Sequence, residues 1–433
     1  MQVSRNWLCW ARPSATVRAI DSLDRQLVRL RVYALLTYPF ACVPFLFLFF
    51  RQHGMSESDY GEIIGAYYLA MFIAEVPTGV LADRFGPKVM LVAGPLLLAS
   101  GFLVLLVWPT YAGFLVGEVL LGLGHAVLSG PPAALLYESL QARGQQHRFL
   151  REESRLSALR MLGTGAAFLL GGALASCTRA NGEAWDVTIV ATCCLCGLAS
   201  VAALQLAGGP PRGRLHLRVF ARQVGHEASK PAVLWLLAYW IVLFALLRFP
   251  FHNYQPYLQQ AGEHEPLLHQ PLFVGLLFAA MNLAAAPLSA LVPRLVDRFG
   301  RRPLFWGMPL VLAASLAVMA WERANATDGS RSLVWLGVAM FFVQQVPFGM
   351  HAALLQEFVN HRIGSVARTT VLSALSLGAR AFYAAINVAL FHVQAAHGMA
   401  RALLVASLGG LLAATVVLWL RPRGLLRGAG PVA

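Results

Sequence analysis

Six ionisable side chains interrupt long apolar stretches of this 433-residue chain: Glu75, Glu118, His125, Arg248, His351 and Arg380. A charge at bilayer depth costs roughly 2.5–3.5 kcal/mol on insertion scales, so it is held where it faces protein or water. Glu118 and His125 can gain and lose a proton in such a setting. Arg380 keeps its charge, and offers a cation to an anionic group or to a carboxylate such as Glu118 or Glu75. Spacing groups these residues on helix faces. Ser373, Ser376, Arg380, Tyr383 and Asn387 recur at three- and four-residue steps and share one face. Glu118, Gly122, His125 and Ser129 share another, and Tyr68, Met71, Glu75 and Thr78 a third. Asn282 lies on a weaker stripe with Gly275, Ala286 and Ser289, while Gln344, Gln345 and His351 make a further segment polar. The chemistry on offer is reversible protonation and the binding of a small polar molecule. For Ser, Asn and Gln, hydrogen bonding between helices is the competing reading.

Bond-making chemistry has no comparable support. No phosphate-binding glycine loop, His-Glu-x-x-His pair or carboxylate pair at catalytic spacing occurs. The run Cys193-Cys194-Leu195-Cys196 lies in an apolar stretch, where cysteine is mostly a small apolar residue and no closed metal-ligand set accompanies it. An enzyme is therefore not expected, and neither is a cofactor.

The elements that carry these residues are membrane helices. The chain is 58% hydrophobic and only 12% charged, about half the charge of a soluble domain, and its mean hydropathy is +0.62. Apolar segments recur at Val32–Phe50, Gly61–Ala82, Val89–Val107, Tyr111–Glu138, Ser157–Cys177 and Val187–Ala207, then at Ala232–Pro250, Pro271–Pro293, Pro303–Ala320, Leu333–Gln356, Thr370–Phe391 and Ala402–Leu420. A spanning helix needs about 20 apolar residues, and segments this long without alternation are helices rather than barrel strands. The expected fold class is an all-α membrane protein with twelve transmembrane helices. The segments at Val89–Val107, Val187–Ala207, Pro303–Ala320 and Ala402–Leu420 contain no ionisable residue.

Charge placement gives an expected topology. With alternating crossings, 27 of the 34 Lys and Arg residues fall on one set of loops, and six (Arg51, Arg179, Arg248, Arg323, Arg331 and Arg401) on the other, with Arg380 inside a helix. The positive-inside rule then puts both termini in the cytoplasm of a bacterial-type inner, or plasma, membrane. It also accounts for the net charge of +14 without a nucleic-acid partner. No cleavable signal peptide is visible ahead of Val32, and the Arg-rich arm with Asp21 and Asp24 reads as a cytosolic tail. The expected division is a tail at 1–31, a six-helix bundle at 32–207, a basic linker at 208–231, a second bundle at 232–420 and a tail at 421–433. The linker reads as a solvated basic segment, with a surface amphipathic helix as the alternative.

The two bundles repeat each other. Leu81-Ala82-Asp83-Arg84-Phe85-Gly86 follows the second segment, and Leu295-Val296-Asp297-Arg298-Phe299-Gly300 follows the eighth. Ala133-Ala134-Leu135-Leu136-Tyr137-Glu138 ends the fourth, and Ala352-Ala353-Leu354-Leu355-Gln356-Glu357 the tenth. Parallel six-helix repeats characterise one transporter architecture, with its substrate site between the halves near mid-membrane. The stretch from Gly79 through Asp83, Arg84 and Gly86 to Lys88 resembles the signature loop of the major facilitator superfamily, departing from it at Pro87. The second copy keeps Asp297, Arg298 and Gly300.

That resemblance implies two pseudo-symmetric six-helix bundles, with the third, sixth, ninth and twelfth helices outside the cavity. It implies a gate in which Asp83 meets the start of the eleventh helix, near Arg368, Thr369 and Thr370, where the helix dipole is positive. Gly79 and Gly86 would permit a tight turn and close approach. The candidate substrate and proton-coupling residues are Glu75, Glu118, His125, Asn282, Gln344, Gln345, His351, Arg380 and Asn387. Two departures bear on direction. Glu118 stands where many proton-coupled members carry arginine, and Ala167-Phe168 precede Gly171-Gly172 where antiporters often have Gly-Pro. The expected function is secondary transport of a small molecule, leaning to proton-coupled export of a drug-like compound or metabolite. Uptake by the same fold is the first alternative, and a non-transport membrane sensor the second. The expected partners are that substrate, protons as coupling ion and the lipid bilayer, for a monomer that binds no nucleic acid.

Overall fold

A computed structural model describes residues 23–178, 185–208, 230–326, 331–362, 368–422 and 425. Most of the basic linker, both chain ends and Arg179 lie outside the described residues. Among the described residues, ten helices are long and apolar enough to cross a membrane. The 30-residue helix Arg368–His397 and the interrupted first crossing complete twelve.

Three crossings are broken, each at proline. The first runs as Leu23–Leu36, a short 3-10 turn at Val43–Phe45 and Leu46–Gln52. Pro39 and Pro44 cannot donate backbone bonds there, and Tyr38 adopts a left-handed φ of 61°, which a non-glycine residue takes only at some cost in strain. The fourth crossing is Tyr111–Leu128 followed by Pro131–Gln141, and Pro131 and Pro132 force the gap. The eighth is Pro271–Ala285, a 3-10 stretch Ala286–Leu291 holding Pro287, and Val292–Phe299. Other helices outrun their apolar segments. The seventh extends over Pro231–Ala261 and absorbs both Pro250 and Pro256. The second spans Glu57–Phe85 behind a Ser56–Asp59 capping box.

Helices within a half approach through small residues, as membrane helices do. A Cβ on Gly101 or Gly117 would fall within 3 Å of Leu121 or Leu105, so the third helix (Pro87–Val107) lies close on the fourth. The halves meet along two equivalent seams. On one, Gly61 and Gly65 of the second helix face Phe391 and Val388 of the eleventh. On the other, Gly172 of the fifth helix (Phe149–Thr178) faces Pro271 and Gly275 of the eighth. Pairing second with eleventh and fifth with eighth is what a two-fold relation between the halves requires. Outward faces carry exposed Val107, Leu412 and Trp419, a surface that only lipid covers without cost.

The seams are tied most closely at the end away from the chain termini. Gln255 accepts the Phe47 amide at 2.7 Å and donates to the Val43 carbonyl. Asn387 Nδ2 donates to the Gly61 carbonyl at 2.9 Å, and the Leu272 amide donates to Ser176 Oγ at 3.0 Å. Tyr60 packs edge-on against Phe391. Together these form a seal between the halves, of which Val43, Tyr60 and Gln255 also border a cavity between them.

Candidate functional site

The two halves enclose a cavity of about 670 Å³, well within the size range of small-molecule sites. Its wall comes from the first, second, fourth, fifth, seventh, eighth, tenth and eleventh crossings, with Phe102 alone from the third. The sixth, ninth and twelfth contribute nothing to it among the described residues. The helices without ionisable residues in their apolar cores thus stand outside.

Of the nine candidate residues, seven line the cavity: Glu118, His125, Asn282, Gln344, Gln345, His351 and Arg380. Glu75 touches it through Arg380. Arg380 Nη1 donates to Glu75 Oε2 at 2.5 Å, and Ser129 Oγ donates to Glu75 Oε1 at 3.2 Å. The sequence left Glu75 and Glu118 both open as partners of Arg380; the structure selects Glu75. This ion pair bridges the halves, from the second helix to the eleventh. Asn387 is elsewhere. It is fully buried in the seal, accepting the Tyr383 hydroxyl at 2.9 Å.

Glu118 is 3% exposed, and its Oε1 has no hydrogen-bond partner among the described residues. Gly122, one turn on, lets the fourth helix lie against the second, since a Cβ there would meet the Tyr67 carbonyl at 2.5 Å. His125 is boxed by rings. It stacks on Tyr38 at 5.0 Å and 5°, with Phe40 and Tyr67 at 5.3 and 5.4 Å. The break in the first crossing sets Tyr38 and Phe40 in that position. On the far wall, His351 stacks on Trp240 at 5.3 Å, and its Nδ1 bonds the Phe348 carbonyl. Gln344 accepts the Tyr254 hydroxyl at 2.8 Å and donates to Ser315. Gln345 donates to Tyr254, and Asn282 crosses the second seam to the Met161 carbonyl at 2.7 Å.

The sequence places Arg248 both at the edge of an apolar stretch and among the outer-loop charges, with Arg380 as the basic residue inside a helix. The structure corrects this. Arg248 sits inside the long seventh helix, on the cavity wall. Pro250 ends the apolar segment in the sequence, but membrane helices tolerate proline because neighbours satisfy the freed backbone groups. The guanidinium lies 5.4 Å from the Phe244 ring and 5.9 Å from both Phe251 and Phe348. Continuing the helix through Pro250 would have exposed the stripe Trp240, Phe244, Arg248, Phe251 and Gln255 at three- and four-residue steps. His252, which bonds the Tyr68 hydroxyl at 3.0 Å across the halves, was missed for the same reason.

The signature loop behaves as two copies of one turn. Gly86 and Gly300 close the second and eighth crossings at φ 83° and 76°, conformations suited to glycine. Arg84 and Arg298 each lie over the following phenylalanine, Phe85 or Phe299, at 5.3 Å. Pro87 opens the third helix, where a missing amide hydrogen is harmless. Gly79 departs from expectation. It lies inside the second helix, and a Cβ there would meet nothing within 4 Å, so close approach does not require it. Lys88 side-chain carbons border Gly208 at the end of the sixth crossing. The eleventh-helix side chains expected to face Asp83 lie outside the described residues.

The model of the family described as Major Facilitator Superfamily matches residues 32–386. The chain belongs to the major facilitator superfamily. An MFS-type transporter of Aspergillus fumigatus is 36% identical over 96 residues, covering 21% of this chain and 22% of that protein. The Escherichia coli inner membrane transport protein YajR is 27% identical over 32% of this chain and 29% of its own length. The match therefore spans under a third of these two relatives. An uncharacterized MFS-type transporter of Mycobacterium tuberculosis is 24% identical over 85% of both chains. Among solved structures, a nucleoside transporter, NupG, superposes with a TM-score of 0.76 at 11% identity, over 91% of this chain and 99% of that one. The peptide transporter POT gives 0.71 at 14%, over 93% and 95%. At these identities the superpositions establish the fold alone. This member of the superfamily is an all-α, twelve-helix membrane protein.

Proposed function

We propose that this transporter is proton-coupled, and that Glu118 carries the coupling proton for a small organic substrate bound between the halves. The observation behind this is the buried Glu118 carboxylate, which faces the cavity with an oxygen that no described group satisfies. A carboxylate away from water needs a countercharge. Neither arginine of the cavity bonds Glu118, since Arg380 is committed to Glu75 and Arg248 contacts the rings of Phe244, Phe251 and Phe348, so a proton is the countercharge available to it. The test is flux in proteoliposomes holding the purified chain. Imposing a proton gradient should drive accumulation of a transported compound, and an uncoupler should abolish it. Accumulation indifferent to the gradient would refute proton coupling. Export of a drug-like compound or metabolite is favoured by the breadth of the aromatic wall, and uptake by the cation at Arg248. The charge of the substrate decides between them.

The remaining expectations stand as proposals. The transporter acts as a single chain, in a bacterial-type inner membrane, with both termini cytoplasmic. With Arg248 moved into the cavity, five basic residues remain on the outer loops, so the charge asymmetry is sharper than the sequence count gave. Reporter fusions after Arg51, Arg179 and Arg323 should all read outside; a cytoplasmic reading at any of them would break the topology. Asp83 serves the transport cycle rather than insertion, by latching the halves at the terminal end. Asp83→Asn is expected to leave expression near normal and slow flux, with Asp297→Asn acting in the same direction but more weakly. Normal flux in Asp83→Asn at normal expression would remove the latch.

A further inference from the structure

We propose that Arg248 and the rings around it form the anion-recognition half of the substrate site, so that the transported molecule is an organic anion with an apolar or aromatic body. This rests on the cavity being the transport site. It adds the substrate's charge, and through that the direction of coupling.

Among the described residues, two arginines line the cavity, Arg248 and Arg380. Arg380 is neutralised by Glu75 across the seam. Arg248 has neither a carboxylate nor a hydrogen-bond acceptor within reach among the described residues, and its contacts are the rings of Phe244, Phe251 and Phe348. Ring faces attract a cation but cannot accept the five hydrogens of a guanidinium in good geometry. The planar fork therefore stays available to a carboxylate, sulfonate or phosphate, which it can hold by two parallel bonds. The rings fix the fork, so little motion is lost on binding. Beside it lie the stacked Trp240 and His351 and the ring of Phe348, a surface suited to a flat apolar body. An ammonium-bearing substrate would meet repulsion at the same place.

The sign of coupling follows. An anion held by Arg248 and a proton held by Glu118 attract each other across a low-dielectric cavity, so each strengthens binding of the other. Substrate and proton then load together and move the same way. An inward proton gradient drives uptake of such an anion, not the export favoured by the sequence.

The test is equilibrium dialysis of the full-length detergent-purified protein against matched probes: benzoate, naphthoate, naphthalenesulfonate and naphthyl phosphate, each beside an uncharged analogue such as naphthamide. At least one acid should bind about tenfold more tightly than its neutral counterpart, the scale of a charge-assisted hydrogen bond. Arg248→Gln should bring that ratio to about one, with thermal unfolding in detergent reporting that the variant is folded. Arg248→Lys should keep a reduced preference, and serves if Arg248→Gln does not fold. Equal binding of every acid and its neutral analogue, no binding by any acid, or a preference surviving in both variants would overturn the proposal. The two readings fail separately. Anion preference without accompanying proton movement in liposomes would leave this site standing and remove the coupling role of Glu118. Proton-driven movement of naphthamide but not of naphthoate would do the reverse.

Discussion

Glu118→Gln is expected to abolish uphill transport while leaving substrate binding and substrate exchange close to wild type. Glutamine keeps the size and polarity of the side chain and loses only the ability to carry a proton. Gly122 still lets the fourth helix sit against the second, so the cavity keeps its shape. A residue that binds substrate directly would fail in both assays when changed; a residue that only fills space would fail in neither. The split between the two identifies a proton carrier. In proteoliposomes, accumulation driven by a proton gradient should fall to the level of protein-free vesicles, while exchange of internal for external substrate continues. Loss of both, with normal expression, would assign Glu118 to substrate binding or packing instead.

Arg380→Ala is expected to abolish transport and to destabilise the protein. The guanidinium is the partner of Glu75 in a bond that ties the halves together, with each side chain only 16% exposed. Removing one member of such a pair strands the other charge away from water, at a cost on the order of 3 kcal/mol. Thermal unfolding in detergent should therefore shift down for Arg380→Ala and for Glu75→Gln singly. The double variant should recover much of the stability, because no charge is left alone, but no transport. Ser129 keeps a hydrogen-bonding partner when residue 75 is glutamine, so its loss does not confuse the cycle. Stability losses that simply add in the double variant would mean the two side chains act independently, and full flux in Arg380→Ala would remove the pair from the transport cycle.

The membrane fold was legible because its causes are local and repeated. Lipid demands long apolar helices, and each announces itself in about 20 residues. The Asp-Arg-Phe-Gly turns at Asp83 and Asp297 gave the repeat, and both end in a left-handed glycine. Distances across the cavity were not legible. Glu75 and Glu118 lie on polar faces of neighbouring helices, and nothing in their spacing tells which one meets Arg380. Helix ends misled where proline stood. Pro250 looks like a stop, yet the seventh helix runs on to Ala261 and carries Arg248 into the cavity with it. Pro39 and Pro44, read inside a continuous segment, break the first crossing and set Tyr38 and Phe40 against His125. The aromatic wall was hidden for another reason: Phe, Tyr and Trp count as apolar in any hydropathy pattern, whether they face lipid or a substrate.

The Glu118 carboxyl is expected to take up and release a proton as the cavity is exposed to water. Infrared difference spectroscopy on the purified transporter, stepped between acid and alkaline buffer, reads this without knowledge of the substrate. Wild type should show a protonated-carboxyl band that rises and falls with the pH step and is missing from Glu118→Gln. Identical difference spectra for the two proteins would contradict it.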